Sequence, residues 1–121
     1  MKDKKILIVD DEENIRILFK EELEDEGYII DLASNGYEAI EKVKKDSYDL
    51  VVLDIKMPGI DGIETLNEIK KIKANQPVIL CSAYGEFRQD FSSWASDAYV
   101  VKSADTNELK HTIAKILAQK G

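Results

Sequence analysis

The sequence is poor in cysteine, histidine and proline, with one Cys81, one His111, and Pro58 and Pro77 only. A single thiol cannot close an intrachain disulfide and has no metal-binding spacing around it, so Cys81 reads as a small core side chain in a reducing, cytoplasmic setting. Long hydrophobic runs are missing as well. Stretches such as Ile6-Leu7-Ile8-Val9 and Leu50-Val51-Val52-Leu53 have about four residues where a membrane-spanning helix needs about twenty. Nothing is expected to insert into a membrane. The start, Met1-Lys2-Asp3-Lys4-Lys5, runs into Asp10-Asp11-Glu12-Glu13 too soon to build the apolar region of a signal peptide. Positive charge is the minority, 17 basic against 24 acidic residues, and the net charge of -7 repels a nucleic-acid backbone. No low-complexity tract, internal repeat or linker divides the chain, so residues 1–121 are expected to form one domain.

What the chain does contain is a regular alternation. Apolar runs of strand length at Lys5–Val9, Ile29–Ala33, Leu50–Leu53, Val78–Cys81 and Ala98–Val101 are separated by stretches of helical period. Five strands alternating with helices predict a parallel sheet covered on both faces, a doubly wound α/β fold. Ile15, Leu18, Phe19 and Leu23 form one helical stripe that stops at Gly27, a C-terminal cap. Ile63, Leu66 and Ile69 form a second, and Leu109, Ile113, Ile116 and Leu117 another. His111 falls off that last stripe and is expected in solvent. Phe87, Phe91 and Trp94 recur at helical spacing among serines, which predicts a short or irregular helix. Asn35 with Glu38, Asp61 with Glu64, and Asp105 with Glu108 each place a capping side chain three residues before a glutamate.

Polar residues collect at one edge of this sheet. Asp10 and Asp11 follow the first strand, Asp54 the third, Ser82 the fourth and Lys102 the fifth, and ligands of open parallel sheets bind outside the carboxyl ends of the strands. Crowded carboxylates repel one another unless a cation sits among them, and an all-oxygen site suits Mg²⁺. With its charge balanced, Asp54 is a candidate nucleophile for a phosphoryl group, forming an acyl phosphate whose equatorial oxygens Lys102 and the Ser82 hydroxyl would bind.

These residues resemble a known family. Ile6-Leu7-Ile8-Val9-Asp10-Asp11, Asp54-Ile55-Lys56-Met57-Pro58-Gly59-Ile60-Asp61-Gly62, Ser82-Ala83, Tyr99 and Lys102 look like the receiver domain of two-component response regulators, over essentially the whole chain. The resemblance implies a flavodoxin-like, five-stranded parallel sheet in the order 2-1-3-4-5. It implies Asp54 as phosphoacceptor, Asp11 as a direct Mg²⁺ ligand, Asp10 as a ligand through water, and the backbone carbonyl of Lys56 as another. Ser82 and Tyr99 match the switch pair, and Lys56 and Tyr84 stand where the family flanks the path of the hydrolytic water. Lys56-Met57-Pro58-Gly59 with Ser82-Ala83-Tyr84-Gly85-Glu86 is similar, more closely, to the stand-alone receiver type of sporulation phosphorelays, which takes phosphate from one histidine and passes it to another. Two departures stand out. Ser103 follows Lys102 where most receivers have a cis-linked proline, and Trp94-Ala95-Ser96-Asp97-Ala98 replaces the usual Gly-Ala before the fifth strand.

The implied partners are a histidine kinase or histidine phosphotransfer protein, and a downstream effector or second phosphotransfer protein. The output surface is expected around Phe87, Phe91, Trp94 and Tyr99. Self-phosphorylation and self-dephosphorylation are expected, with no separate substrate turned over. Three other readings compete. A flavin carrier shares the sheet but needs donors, not Asp10-Asp11-Glu12-Glu13, around its phosphate. A haloacid-dehalogenase-type phosphatase spaces its two aspartates by two residues, unlike Asp10-Asp11. An unphosphorylated docking module of receiver type is the more serious rival, and the intact Asp10, Asp11, Asp54 and Lys102 set argues against it.

Overall fold

The computed structural model describes residues 3–83, 96–103 and 105–120. In chain order these form β1 (Lys5–Val9), α1 (Glu13–Glu24), β2 (Ile29–Ala33), α2 (Gly36–Lys45), β3 (Leu50–Asp54), α3 (Gly62–Ile72), β4 (Val78–Ser82), β5 (Ala98–Val101) and α4 (Asn107–Lys120). The five strands are parallel in the order β2-β1-β3-β4-β5, as the alternation and the resemblance predicted. Phe87, Phe91, Trp94, Tyr84 and Glu86 lie outside the described residues, and with them the expected irregular helix and most of the expected output surface.

The period-two geometry of a strand divides its side chains between two faces. Leu7, Val9, Val51, Leu53, Val78 and Leu80 point to one, where Ala39 and Val43 of α2 and Leu66 and Ile69 of α3 close over them. Ile6, Ile8, Leu50, Val52, Ile79 and Cys81 point to the other, against Phe19 and Leu23 of α1 and Leu109, Ile113 and Leu117 of α4. Cys81 is buried as a core residue, and His111 is exposed. β3 and β4 are buried along their whole length while edge strand β2 is half exposed. Truncating Leu66, which is fully buried, is expected to cost about 2–5 kcal/mol.

Turn chemistry fixes the helix ends. Gly27 takes φ +96, the left-handed region that closes a helix, and the Tyr28 N–H reaches back to the Leu23 carbonyl at 3.3 Å. Asn35 and Asp61 accept from the Glu38 and Glu64 N–H groups at 2.8 and 2.9 Å, as predicted. Asp105 does not cap at Glu108. Its Oδ1 accepts from the Asn107 N–H at 2.9 Å, because the Ser103 hydroxyl bonds the Asp105 backbone on both sides and holds it in a turn ahead of the helix. The peptide joining Lys102 to Ser103 is trans.

Candidate functional site

Strand register builds the site. Val9 pairs with Leu53, Asp54 with Cys81 and Ser82 with Val101. Asp10, Asp54, Ser82 and Lys102 are therefore delivered by four adjacent strands to one edge. Asp54 and Ser82 are the last residues of their strands and do not follow them, since the ladder runs one step further than the apolar runs: the Ile55 N–H still bonds the Cys81 carbonyl and the Lys102 N–H the Ser82 carbonyl, at 3.3 and 2.7 Å. The loop after Asp54 folds straight back into α3. The Gly62 N–H donates to the Ile55 carbonyl at 2.7 Å, and a Cβ on Gly62 would collide with the Asp54 carbonyl oxygen and the Ile55 backbone. Only glycine permits that approach.

Asp10 and Asp54 are 2% and 5% exposed, while Asp11 lies at the surface. One carboxylate oxygen from each of the three falls within 4.8 Å of the others. The Lys102 ammonium faces them. Lys102 Nζ, on a side chain only 8% exposed, donates to Asp10 Oδ2 at 2.9 Å and stands 3.6 Å from both Asp54 Oδ2 and Glu12 Oε1. Burial pushes the Asp54 carboxyl up to about 7, the negative charge of Asp10 adds to this, Lys102 opposes it and Asp11 adds again. Burial by itself would lower the Lys102 ammonium, but the hydrogen bond to Asp10 and the charges of Asp54, Asp10 and Glu12 leave it raised. The neighbouring Cys81 thiol is pushed up to about 12 by burial and stays protonated and unreactive.

Among the described residues, Asp10, Asp11, Glu12 and Asp54 outnumber Lys56 and Lys102 at this edge, which leaves it short of positive charge. An all-oxygen set drawn together within 4.8 Å is the kind of donor set that suits Mg²⁺, with waters completing its shell. Asp11, Glu12, Asp54, Lys56, Ser82, Ala83 and Lys102 line a cleft of about 150 Å³ there. A larger cleft of about 530 Å³, lined by Ile55, Lys56, Met57, Pro58, Asp61 and Ile63, is mostly apolar and is lined by neither Asp11, Asp54 nor Lys102. Lys56 is exposed at the mouth of the smaller cleft, and Tyr99, beside Leu80 in register, is buried in the core on the α2–α3 side of the sheet. Sequence reasoning missed Glu12, although it directly follows the aspartate pair. It also missed Arg16, whose Nη1 donates to the Asp10 backbone carbonyl at 2.7 Å.

Residues 6–114 match the description of the response regulator receiver domain. The chain belongs to the response regulator receiver domain family. It is 42% identical to Sporulation initiation phosphotransferase F of Bacillus subtilis, over 99% of this chain and 98% of that one. Among solved structures it is similar to the response regulator TrrA of Thermotoga maritima in complex with Mg(2+)-BeF, at a TM-score of 0.89 and 56% identity over 93% of this chain and 98% of that one. TrrA in complex with the histidine kinase ThkA gives a TM-score of 0.87 at 56% identity, over 94% and 98%. As a receiver domain, the chain belongs to two-component or phosphorelay signalling. No helix among the described residues is long and apolar enough to cross a membrane.

Proposed function

We propose that Asp54 is the residue that receives the phosphoryl group, and that residues 1–121 act as one receiver domain in the cytoplasm. The observation that carries this is the Asp54 carboxylate itself, 5% exposed, beside Asp10 and Asp11, with Lys102 Nζ 3.6 Å away. An oxygen of Asp54 attacks phosphorus, the phosphorus–nitrogen bond of the phosphohistidine donor breaks, and its electron pair returns to the imidazole. Lys102 balances charge on an equatorial oxygen, and the Ser82 hydroxyl donates to another. Asp10, Asp11, Asp54 and the Lys56 carbonyl would hold Mg²⁺, which when bound supplies the positive charge that lets an anionic phosphoryl group approach three carboxylates. Ser82 and Tyr99 form the switch: the hydroxyl at the end of β4 and the ring in β5 lie on adjacent strands, so a shift at one is felt by the other. The chain turns over no separate substrate, and its Mg²⁺-BeF-bound relative supports both the ion and the acyl phosphate, because beryllofluoride imitates a phosphoryl group on a carboxylate.

Intact-mass measurement after incubation with a small acyl phosphate or a phosphorylated histidine kinase tests this. The expected result is one added phosphoryl group, lost on chelation of Mg²⁺ before the reaction and absent from Asp54→Asn. The same adduct on Asp54→Asn sinks the assignment, and no adduct on the unaltered chain with either donor favours the docking-module reading.

A further inference from the structure

The acidic edge carries a cation that the phosphoryl-transfer reading leaves unused. Arg16 sits in the first turn of α1, close to the positive end of the helix dipole, where a cation is disfavoured. Its partner there is the Asp10 carbonyl, 2.7 Å from Nη1.

Asp10 and Asp11 are held very differently. The Asp10 N–H bonds the Ala33 carbonyl at 3.1 Å, Oδ1 accepts from the Glu12 N–H at 2.9 Å and Oδ2 from Lys102 at 2.9 Å. Asp11 is exposed, and among the described residues no hydrogen bond orients its carboxylate. What aims it is the backbone it leaves from. The Asp10 carbonyl and the Asp11 N–H belong to one rigid planar peptide, so a guanidinium gripping that carbonyl fixes the direction in which the Asp11 Cα departs. The Lys102 bond to Asp10 Oδ2 competes with a metal for the same carboxylate, whereas the Arg16 bond is to the backbone and does not.

We infer that Arg16 is a positioning residue for the aspartate pair: it fixes the peptide from which Asp11 projects and thereby sets the affinity of the cluster for Mg²⁺. This rests on the reading of Asp10, Asp11 and Asp54 as the Mg²⁺ site. A mere charge effect has the opposite sign, because removing a cation near the site strengthens the binding of a dication.

Mg²⁺ titrated against backbone amide shifts of the full chain decides it, with metal-free melting recorded for each variant. Arg16→Ala is expected to bind Mg²⁺ about tenfold more weakly, as loss of a supporting contact does at metal sites, with Arg16→Lys between it and the unaltered chain. In an Asp11→Asn background the further loss from Arg16→Ala should nearly vanish. Affinity equal to or tighter than that of the unaltered chain overturns the inference, as does an undiminished Arg16→Ala loss when Asp11 is already replaced. If Arg16→Ala does not fold, Arg16→Lys carries the test alone: weaker binding supports the role and unchanged or tighter binding overturns it. Failure of the unaltered chain to bind Mg²⁺ is a different result, which overturns the site reading itself.

Discussion

Asp31 and Asp54 are both strand carboxylates, the first partly exposed and the second buried, and the protein treats them in opposite ways. Asp31, on β2, accepts from the Tyr48 hydroxyl at 2.6 Å, from Lys42 Nζ at 3.2 Å and from the Leu32 N–H at 3.0 Å. Burial pushes its carboxyl up, but those donors outweigh it and hold the group below its ordinary value. Asp54, on β3, is pushed up to about 7 by burial and by the neighbouring charge of Asp10, against which Lys102, 3.6 Å away and bonded to Asp10, only partly holds. Asp31 has its donors within the fold, whereas Asp54 faces like charges and shares its cation, Lys102, with Asp10. Perturbation by burial together with like charge in a cleft is the pattern expected of functional groups.

The largest effect should come from removing the dissatisfied charge. Asp54→Asn is expected to stabilise the metal-free protein at pH 8 by about 1–3 kcal/mol, because a buried carboxylate without adequate partners is costly. Denaturant unfolding measures it. The advantage should shrink in Mg²⁺, which stabilises only the chain that binds it. The sign follows from linkage: Asp54 holds its proton more tightly when folded, so the unaltered chain loses stability as pH rises from about 4 through the folded value of about 7. A destabilised Asp54→Asn at pH 8 breaks the contrast.

Removing a donor from the satisfied carboxylate should do the reverse, more gently. Tyr48→Phe is expected to cost about 0.5–1.5 kcal/mol, at the modest end because the Asp31 side chain is 34% exposed and solvent screens it. Equal stability in the two proteins under urea would show that the Tyr48–Asp31 bond contributes nothing net. The smallest effect is its pH dependence. Because the folded Asp31 is depressed, its contribution is present above the unfolded value of about 3.9 and is lost as pH falls through the folded one. Tyr48→Phe should therefore differ less from the unaltered chain at pH 3 than at pH 6 in thermal melts, and a gap that widens on acidification counts against the account.

Much of this contrast was legible in the sequence on one side only. Asp10, Asp11, Asp54, Ser82 and Lys102 were visible because each sits where an apolar run ends, and the parallel topology does the rest. The strand ends were read one residue short at Asp54 and Ser82, since hydrophobicity marks burial while the ladder of backbone hydrogen bonds continues beneath polar side chains. The Asp31 network was not visible. Its partners Lys42, on α2, and Tyr48, in the loop before β3, are 11 and 17 residues away, and only the fold brings them near. Asp105 beside Glu108 matched a capping pattern, yet the hydroxyl of Ser103 gave it a different turn. Arg16 left a faint signal, a cation in the first turn of a helix where acids are the rule.

Asp54 is expected to resist ionisation in its buried, acidic surroundings until a divalent cation arrives. Its carboxyl carbon, followed by NMR through a pH titration with and without Mg²⁺, reports this directly. The expected result is an apparent pKa near 7 in the metal-free protein, falling by about one unit or more in saturating Mg²⁺. An ordinary value near 4 without metal, unmoved by Mg²⁺, would contradict it.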